Sequence, residues 1–418
     1  AAGGEINAWT SFDQTVYHLV LPSAEAALGF ELLADALQHA TFAAEELQRE
    51  IQVVLEEIRR AEDHPSRRLS RKLFQTAYAQ HPYGKPVLGT AASVAALDRP
   101  KIQSFYKRYY HAQNVTLVVV GDIEEATLTQ LLEKNFGVMP TALGDPRPVR
   151  QLEPVQPEAR VQVHYEPVLE SRIAMAWHIP GICDKHAPAL DLLAVLLGQS
   201  DASRLYHQLR RRRSLVHDIY AYCHLAVDPG LLIVGASLSA AQSLEAISVS
   251  LTEINHLSHM LCSTAELERA RLSLLSEAAY QRETAQGQAR KLGFYEVVAG
   301  EHEFESLYNE RLRALTPLSL RETASCYLGK NLSLLLQLPK DHAPISEAAL
   351  QQTIDKSFQT PQRSPRQKRA PLDVEKVVLP SGNVLLLGKD PRPIVAMRAA
   401  AFDRVSRSRS ERRPVSSA

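Results

Sequence analysis

Cysteine is scarce in this chain. Its 418 residues hold four, Cys183, Cys223, Cys262 and Cys326, with no Cys-x-x-Cys pair. That spacing excludes a cysteine zinc knuckle and a disulfide scaffold, and it does not choose between cytoplasm and periplasm. An excess of one charge is absent too. The 47 Lys and Arg balance the 47 Asp and Glu, so no global field favours nucleic acid or a membrane surface. No apolar run approaches the roughly 18 residues of a membrane span. Gly-x-Ser-x-Gly and Walker A patterns are missing, which removes the usual serine-hydrolase and nucleotide-binding readings. Fifteen histidines are present, yet neither His-x-x-Glu-His nor His-Glu-x-x-His occurs. The chain opens Ala1-Ala2-Gly3-Gly4, without Met and without a signal-like stretch.

What is there reads as globular protein. With 45% apolar and 22% charged residues, the chain is too apolar to be disordered. At about 150 residues per domain, its length predicts two or three domains. Residues 5–21 read as two short strands about a turn at Ser11-Phe12-Asp13-Gln14. Helices are predicted at 23–39 and 43–62, with Pro65 closing the second, and again near 67–79. His81-Pro82-Tyr83-Gly84-Lys85-Pro86 is a loop. Val115–Val120 reads as a buried strand followed by a helix.

A half-sized repeat follows. Tyr110-x-x-x-Asn114 leads into Val115–Val120, and Tyr327-x-x-x-Asn331 leads into Leu332–Leu336, an offset of 217 residues. It predicts two domains of similar design. The second begins with a strand at 172–178 and continues with helices at 187–197 and 240–256. A third helix starts at the capping box Ser263-Thr264-Ala265-Glu266. The resulting division is 1–155, 156–345, a linker at 346–373, the opening hairpin of a third domain at 374–401, and an Arg/Ser-rich disordered tail at 402–418.

The helix at 43–62 carries the first candidate chemistry. At 100° per residue, Leu47, Ile51, Val54 and Ile58 form one apolar stripe. Glu50 and Glu57, seven residues apart, flank it on nearly one azimuth, with Glu46 close by. By geometry alone such a pair is either a solvated helix edge, the commoner use, or a site that holds a metal or orients a ligand. The Arg210–Arg213 run reads as a solvated helix end, and His256-x-x-His259 as surface histidines with no third ligand. Ser203 and Cys223 carry no nucleophile signature.

The wider context is specific. Glu50-x-x-Val53-Val54-x-x-Glu57-Ile58 with Asp63-x-Pro65 resembles a sequence block of the insulinase/pitrilysin family of zinc metallopeptidases. The opening Gly3-Gly4-Glu5-Ile6-Asn7-Ala8-Trp9-Thr10-Ser11-Phe12-Asp13-Gln14-Thr15-Val16-Tyr17 is similar to another. The collinear order continues through His81-Pro82-Tyr83-Gly84, Gly89-Thr90, Phe105-Tyr106, Tyr110, Asn114 and Val119-Val120-Gly121-Asp122. Ser203-Arg204-Leu205-Tyr206-x-x-Leu209-Arg210 and Leu379-Pro380-Ser381-Gly382-Asn383 extend it.

The resemblance implies an α+β architecture: two related domains, each an antiparallel sheet packed with helices. It implies a zinc metalloendopeptidase that cuts unfolded peptides between two halves, fused or separate. Glu57 falls on the family's third zinc ligand and Glu50 on its accessory carboxylate. Asn7, Ala8 and Trp9 fall on the strand that pairs with extended substrate. In the family, zinc on three protein ligands activates a bound water. The family's two zinc histidines precede the Gly-Gly-x-x-Asn-Ala stretch, so they are expected before residue 1, and the chain as it stands is expected to be inactive. The family's Arg-x₆-Tyr pair, a feature of its second half, becomes Arg210-x₆-His217 here, which points to a first half. The alternative is a non-catalytic homologue that holds structure or substrate.

Overall fold

The computed structural model describes residues 3–141 and 150–359, together with two strands at 374–378 and 384–388. The chain begins as a hairpin. Strands β1 (Glu5–Thr10) and β2 (Thr15–Val20) pair antiparallel, Glu5 opposite Val20 and Thr10 opposite Thr15. The turn between them is the expected one, closed by the Ser11 N–H donating to the Gln14 carbonyl at 2.8 Å.

Helices α1 (Ala26–Gln38), α2 (Ala44–Asp63), α3 (Pro65–Ala77), α4 (Ala91–Ala95), α5 (Arg99–Tyr109) and α6 (Glu125–Phe136) follow. Pro65 does more than stop α2. It occupies the first turn of α3, where a missing N–H leaves no bond unmade, and the break falls at His64, whose backbone is extended.

The expected buried strand at 115–120 is a correction. Those residues belong to no strand, and Thr116, Leu117 and Val119 are exposed. No backbone hydrogen bond links them to another part of the described chain. Their β-branched composition favours extension, but a strand also needs a neighbour to take its N–H and C=O groups.

The main sheet is built from β3 (Arg160–Glu166), β4 (Ser171–Ile179), β5 (Asp218–His224), β6 (Gly230–Leu238) and β7 (Ser333–Pro339). Its order is β3-β7-β4-β6-β5. Three ladders are antiparallel; β3 runs parallel to β7. The intervening helices are α7 (Ala187–Gly198), α8 (Ser243–His259), α9 (Thr264–Tyr280), α10 (Ala285–Phe294), α11 (Phe304–Ala314) and α12 (Pro317–Tyr327), with a π-helical turn at Tyr206–Arg212. The capping box at α9 is present in full: Ser263 accepts from the Glu266 N–H, and Glu266 accepts from the Ser263 N–H.

Strand alternation splits the core into two layers. Ile173, Met175 and Trp177 of β4, with Leu232 and Val234 of β6 and Leu334 and Leu336 of β7, face α7, α8, α12 and their neighbours. Ala174, Ala176, Leu231, Ile233 and Leu335 point the other way and pack against Leu69, Leu73 and Ala77 of α3. The sheet is thus covered on both faces, and one cover comes from the N-terminal region. Small alanines on β4 let that helix approach closely. Glu166 fixes it electrostatically: Lys72 stands 2.7 Å from one oxygen and Arg68 2.6 Å from the other, which also accepts from Gln337. Burial pushes the Glu166 pKa up, but these hydrogen bonds outweigh it and hold the carboxyl down at about 2.

Part of the expected linker at 346–373 is also corrected. Glu347–Ser357 is a helix, α13, capped by the Ser346 side chain, with Leu350 and Ile354 fully buried against the core. Two apolar residues at i and i+4 suffice to dock a short capped helix. Residues 150–159 carry no helix or strand, and the division at 155/156 is proposed there.

Strands β8 (Val374–Val378) and β9 (Val384–Gly388) form a separate antiparallel hairpin, Val374 opposite Gly388. The rest of the hairpin expected at 374–401 and the tail at 402–418 lie outside the described residues. No described helix is long and apolar enough to cross a membrane.

Candidate functional site

Helix α2 presents its carboxylates as the periodicity predicts. Ile51 and Ile58 are buried with Val94 of α4, and Leu47, Val54 and Leu55 pack beside them. Glu50 and Glu57 are exposed on the flank. Between them on that flank stands Val53, 58% exposed. Three other acidic residues of the helix have cationic partners: Glu56 pairs with Arg59 at 3.1 Å, Glu45 lies 4.0 Å from Arg49, and Glu62 pairs with Arg71 of α3. Glu46, Glu50 and Glu57 make no hydrogen bond or ion pair among the described residues. The flank Glu46–Glu50–Val53–Glu57 is therefore three unpaired carboxylates around one uncovered valine. A zinc site needs three or four converging donors. Among the described residues, no group of three or more His, Cys, Asp or Glu side chains converges in that way. The residues present do not by themselves fit a zinc ion.

Asn7, Ala8 and Trp9 lie in the middle of β1. That strand pairs with β2 alone, so its other side has no strand neighbour among the described residues. Five of its six residues are exposed; Trp9 is half-buried, with the Arg290 guanidinium of α10 5.5 Å over its ring. The Asn7 carboxamide accepts from the Ala8 N–H at 2.8 Å. An open strand edge of this kind is what an extended peptide needs in order to add by backbone hydrogen bonds.

A third cluster was not singled out as a site by the sequence. It joins the β1–β2 turn to the main sheet. Asp13 accepts from the Tyr83 hydroxyl at 2.6 Å and from the Val227 N–H at 3.0 Å. Arg150 Nη1 lies 3.4 Å from Asp13 and 3.0 Å from Asp228. His81 Nδ1 accepts from the Tyr83 N–H, which leaves Nε2 to donate to Asp228 at 3.0 Å. Beneath it, Glu153 accepts from the backbone N–H groups of Ala79, Gln80 and His81. Burial opposes ionisation of Glu153, yet those three donors and the Arg160 charge hold its pKa below the usual carboxylate range. His81, Tyr83 and Asp13 all sit in the motif blocks, which was the available signal. Arg150 and Asp228 carried none, because their partners are 137 and 147 residues away.

The remaining candidates separate. Arg210 is exposed and lies over the Tyr206 ring, while His217 touches Ser239 at 3.5 Å. His256 faces Glu253, and His259 bonds the Asn255 carbonyl of its own helix.

Comparison with known proteins agrees with the architecture. The family model described as Insulinase (Peptidase family M16) matches residues 1–91, and the one described as Peptidase M16 inactive domain matches residues 96–274. An uncharacterized zinc protease of Mycobacterium bovis is 29% identical over 311 residues, covering 72% of this chain and 69% of that relative. The uncharacterized zinc protease YmxG of Bacillus subtilis is 26% identical over 353 residues, covering 82% of each. The crystal structure of a protease from Helicobacter pylori superposes with a TM-score of 0.74 at 24% identity, over 81% of this chain and 82% of that one. The M16 inactive-domain structure from Pseudomonas fluorescens gives 0.74 at 17% identity, over the same shares. The fold is that of the M16-like peptidases. The chain belongs to the insulinase family, M16, and within its 418 residues it lacks that family's His-x-x-Glu-His motif.

Proposed function

We propose that this chain is the substrate-holding part of a zinc metalloendopeptidase that hydrolyses unfolded peptides. The observation that carries this reading is the open side of β1 at Asn7–Trp9, a backbone edge ready to accept an extended chain. The unpaired flank of α2 supports it. There Glu57 is the carboxylate offered to zinc and Glu50 the accessory group beside it, with the two histidine ligands supplied from outside these residues. The second half of the peptidase, fused or separate, is the expected partner. No hydrolytic step is assigned to this chain alone.

The test is twofold. Dialysed protein is expected to retain no stoichiometric zinc and to leave reduced casein uncut. In a chain that carries the His-x-x-Glu-His segment, Glu57→Gln is expected to abolish cleavage, and Glu50→Gln to lower it about 10–100-fold. Equal activity of the Glu57 variant and the wild type rules out the ligand assignment. A non-catalytic, substrate-holding homologue is the second reading, favoured by the absence of a converging metal-ligand group among the described residues. Cleavage by the histidine-bearing chain would sink it.

A further inference from the structure

A two-stranded hairpin is marginal in water. The β1–β2 hairpin is no exception, because five of the six residues of β1 are exposed and burial cannot hold the strand still. Along the strands Tyr17 shares a hydrogen bond with the Tyr110 hydroxyl at 2.7 Å and Trp9 lies under Arg290; the buried anchor is the turn. Phe12 inserts its ring among Phe74 of α3, Tyr83 and His224 of β5, at centroid distances of 5.3, 4.9 and 5.4 Å. Next to it the Asp13 carboxylate, its side chain 8% exposed, turns inward to the polar cluster. One oxygen takes the Tyr83 hydroxyl and faces Arg150; the other takes the Val227 N–H from the β5–β6 turn. The Tyr83 hydroxyl in turn accepts from the Asp228 N–H at 3.3 Å, and Tyr78 donates to the Pro229 carbonyl at 2.8 Å. Three otherwise separate loops of the fold thus converge on one side chain.

We propose that Asp13 is a positioning residue for the open edge of β1: it pins the hairpin turn to the β5–β6 turn and so fixes where the peptide-accepting strand lies. The proposal rests on the reading of that edge as the substrate site. Asp13 sits at the tip of the hairpin, three residues beyond the end of the pairing register at Thr10, and is assigned no contact with peptide. Its effect runs through the backbone of β1. Removing the carboxylate charge weakens the Tyr83, Val227 and Arg150 contacts together, and charge-assisted bonds of this kind are the strong ones. The Phe12 ring still fills its pocket, so the hairpin is expected to loosen without the domain unfolding.

The experiment uses the 418-residue chain and a fluorescein-labelled, acetylated and amidated ten-residue Val/Thr/Lys peptide. Binding is read by anisotropy, and hydrogen exchange is followed at residues 5–10 and 15–20 against 173–179 and 231–238. Asp13→Asn is expected to weaken peptide binding roughly tenfold and to speed hairpin exchange by a similar factor. Exchange in β4 and β6 should not change. Asp13→Glu, which keeps the carboxylate, should recover part of both effects. Tyr83→Phe removes a single hydroxyl from the same bond and should act in the same direction, which decides the matter if Asp13→Asn fails to fold; where it folds, the double variant should be little worse than Asp13→Asn alone. Unchanged binding and unchanged hairpin exchange in the variants overturn the proposal alone. Equal acceleration in the hairpin and in the main sheet also overturns it, since that is general destabilisation. A wild type that binds no peptide overturns the edge reading itself, and the proposal with it.

Discussion

Two stretches of this chain begin alike and end differently. Tyr110-x-x-x-Asn114 and Tyr327-x-x-x-Asn331 each close a helix and lead into an apolar run. After Asn331 the run becomes β7, flanked by β3 and β4, with Leu334, Leu335, Leu336 and Leu338 completely buried. After Asn114 the run Val115–Val120 joins no ladder among the described residues, and Leu117 and Val119 are 38% and 40% exposed. The first run is, if anything, the richer in β-branched residues. Local preference therefore did not decide the outcome. A strand forms where two neighbours can take its backbone groups, and among the described residues only the second run has them.

Proline probes this contrast most severely. Leu335→Pro puts a residue without an N–H into a strand paired on both sides, and should cost on the order of 3 kcal/mol or more. Val118→Pro, with no ladder bond to lose, should stay within about 1 kcal/mol. Urea unfolding of both variants measures the difference, and comparable losses would mean that 115–120 is paired after all.

The next effect concerns the join between the two regions. Glu166 is held at about 2 against an ordinary 4.5, so it is a depressed carboxyl. Its contribution is complete above the ordinary value and fades as pH falls from about 4.5 towards 2. It amounts to roughly 3 kcal/mol. Glu166→Gln should flatten the acid limb of the stability curve in that window while lowering stability at pH 7. An unchanged acid limb would show that α3 does not depend on this group.

A smaller, kinetic contrast is expected from brief elastase digestion. Cuts within 115–120 should precede any within 333–338, because an unpaired exposed segment opens locally at little cost. The α3 segment should survive with the main sheet, since Leu69, Leu73 and Ala77 cover it. Early loss of α3 would break the picture of one shared core.

The smallest effect is the most pointed. Glu57→Gln should change stability by no more than about 0.5 kcal/mol, because that side chain is exposed and makes no ion pair among the described residues. Thermal melts at neutral pH check it. A large loss would mean that Glu57 has a structural task, which the proposed metal role does not require.

Much of this was legible in the sequence. The hairpin at 5–20, the α2 stripe with Glu50 and Glu57 on its flank, the α9 capping box and the strand at 171–179 all follow from periodicity and capping chemistry, which act over a few residues. The polar cluster was legible only in part. Asp13, His81 and Tyr83 stood in motif blocks, but nothing local ties them to Arg150 or Asp228. The helix inside 347–357 was hidden by the basic, proline-containing segment after it. Sequence alone thus determined which segments are amphipathic, where several of the helices start, and the family to which the motifs belong. Tertiary structure alone decided which apolar run became a strand, which helix covers the second face of the sheet, and which buried charges meet. Those outcomes depend on partners more than a hundred residues away, and local free energies of about 1 kcal/mol cannot choose among them.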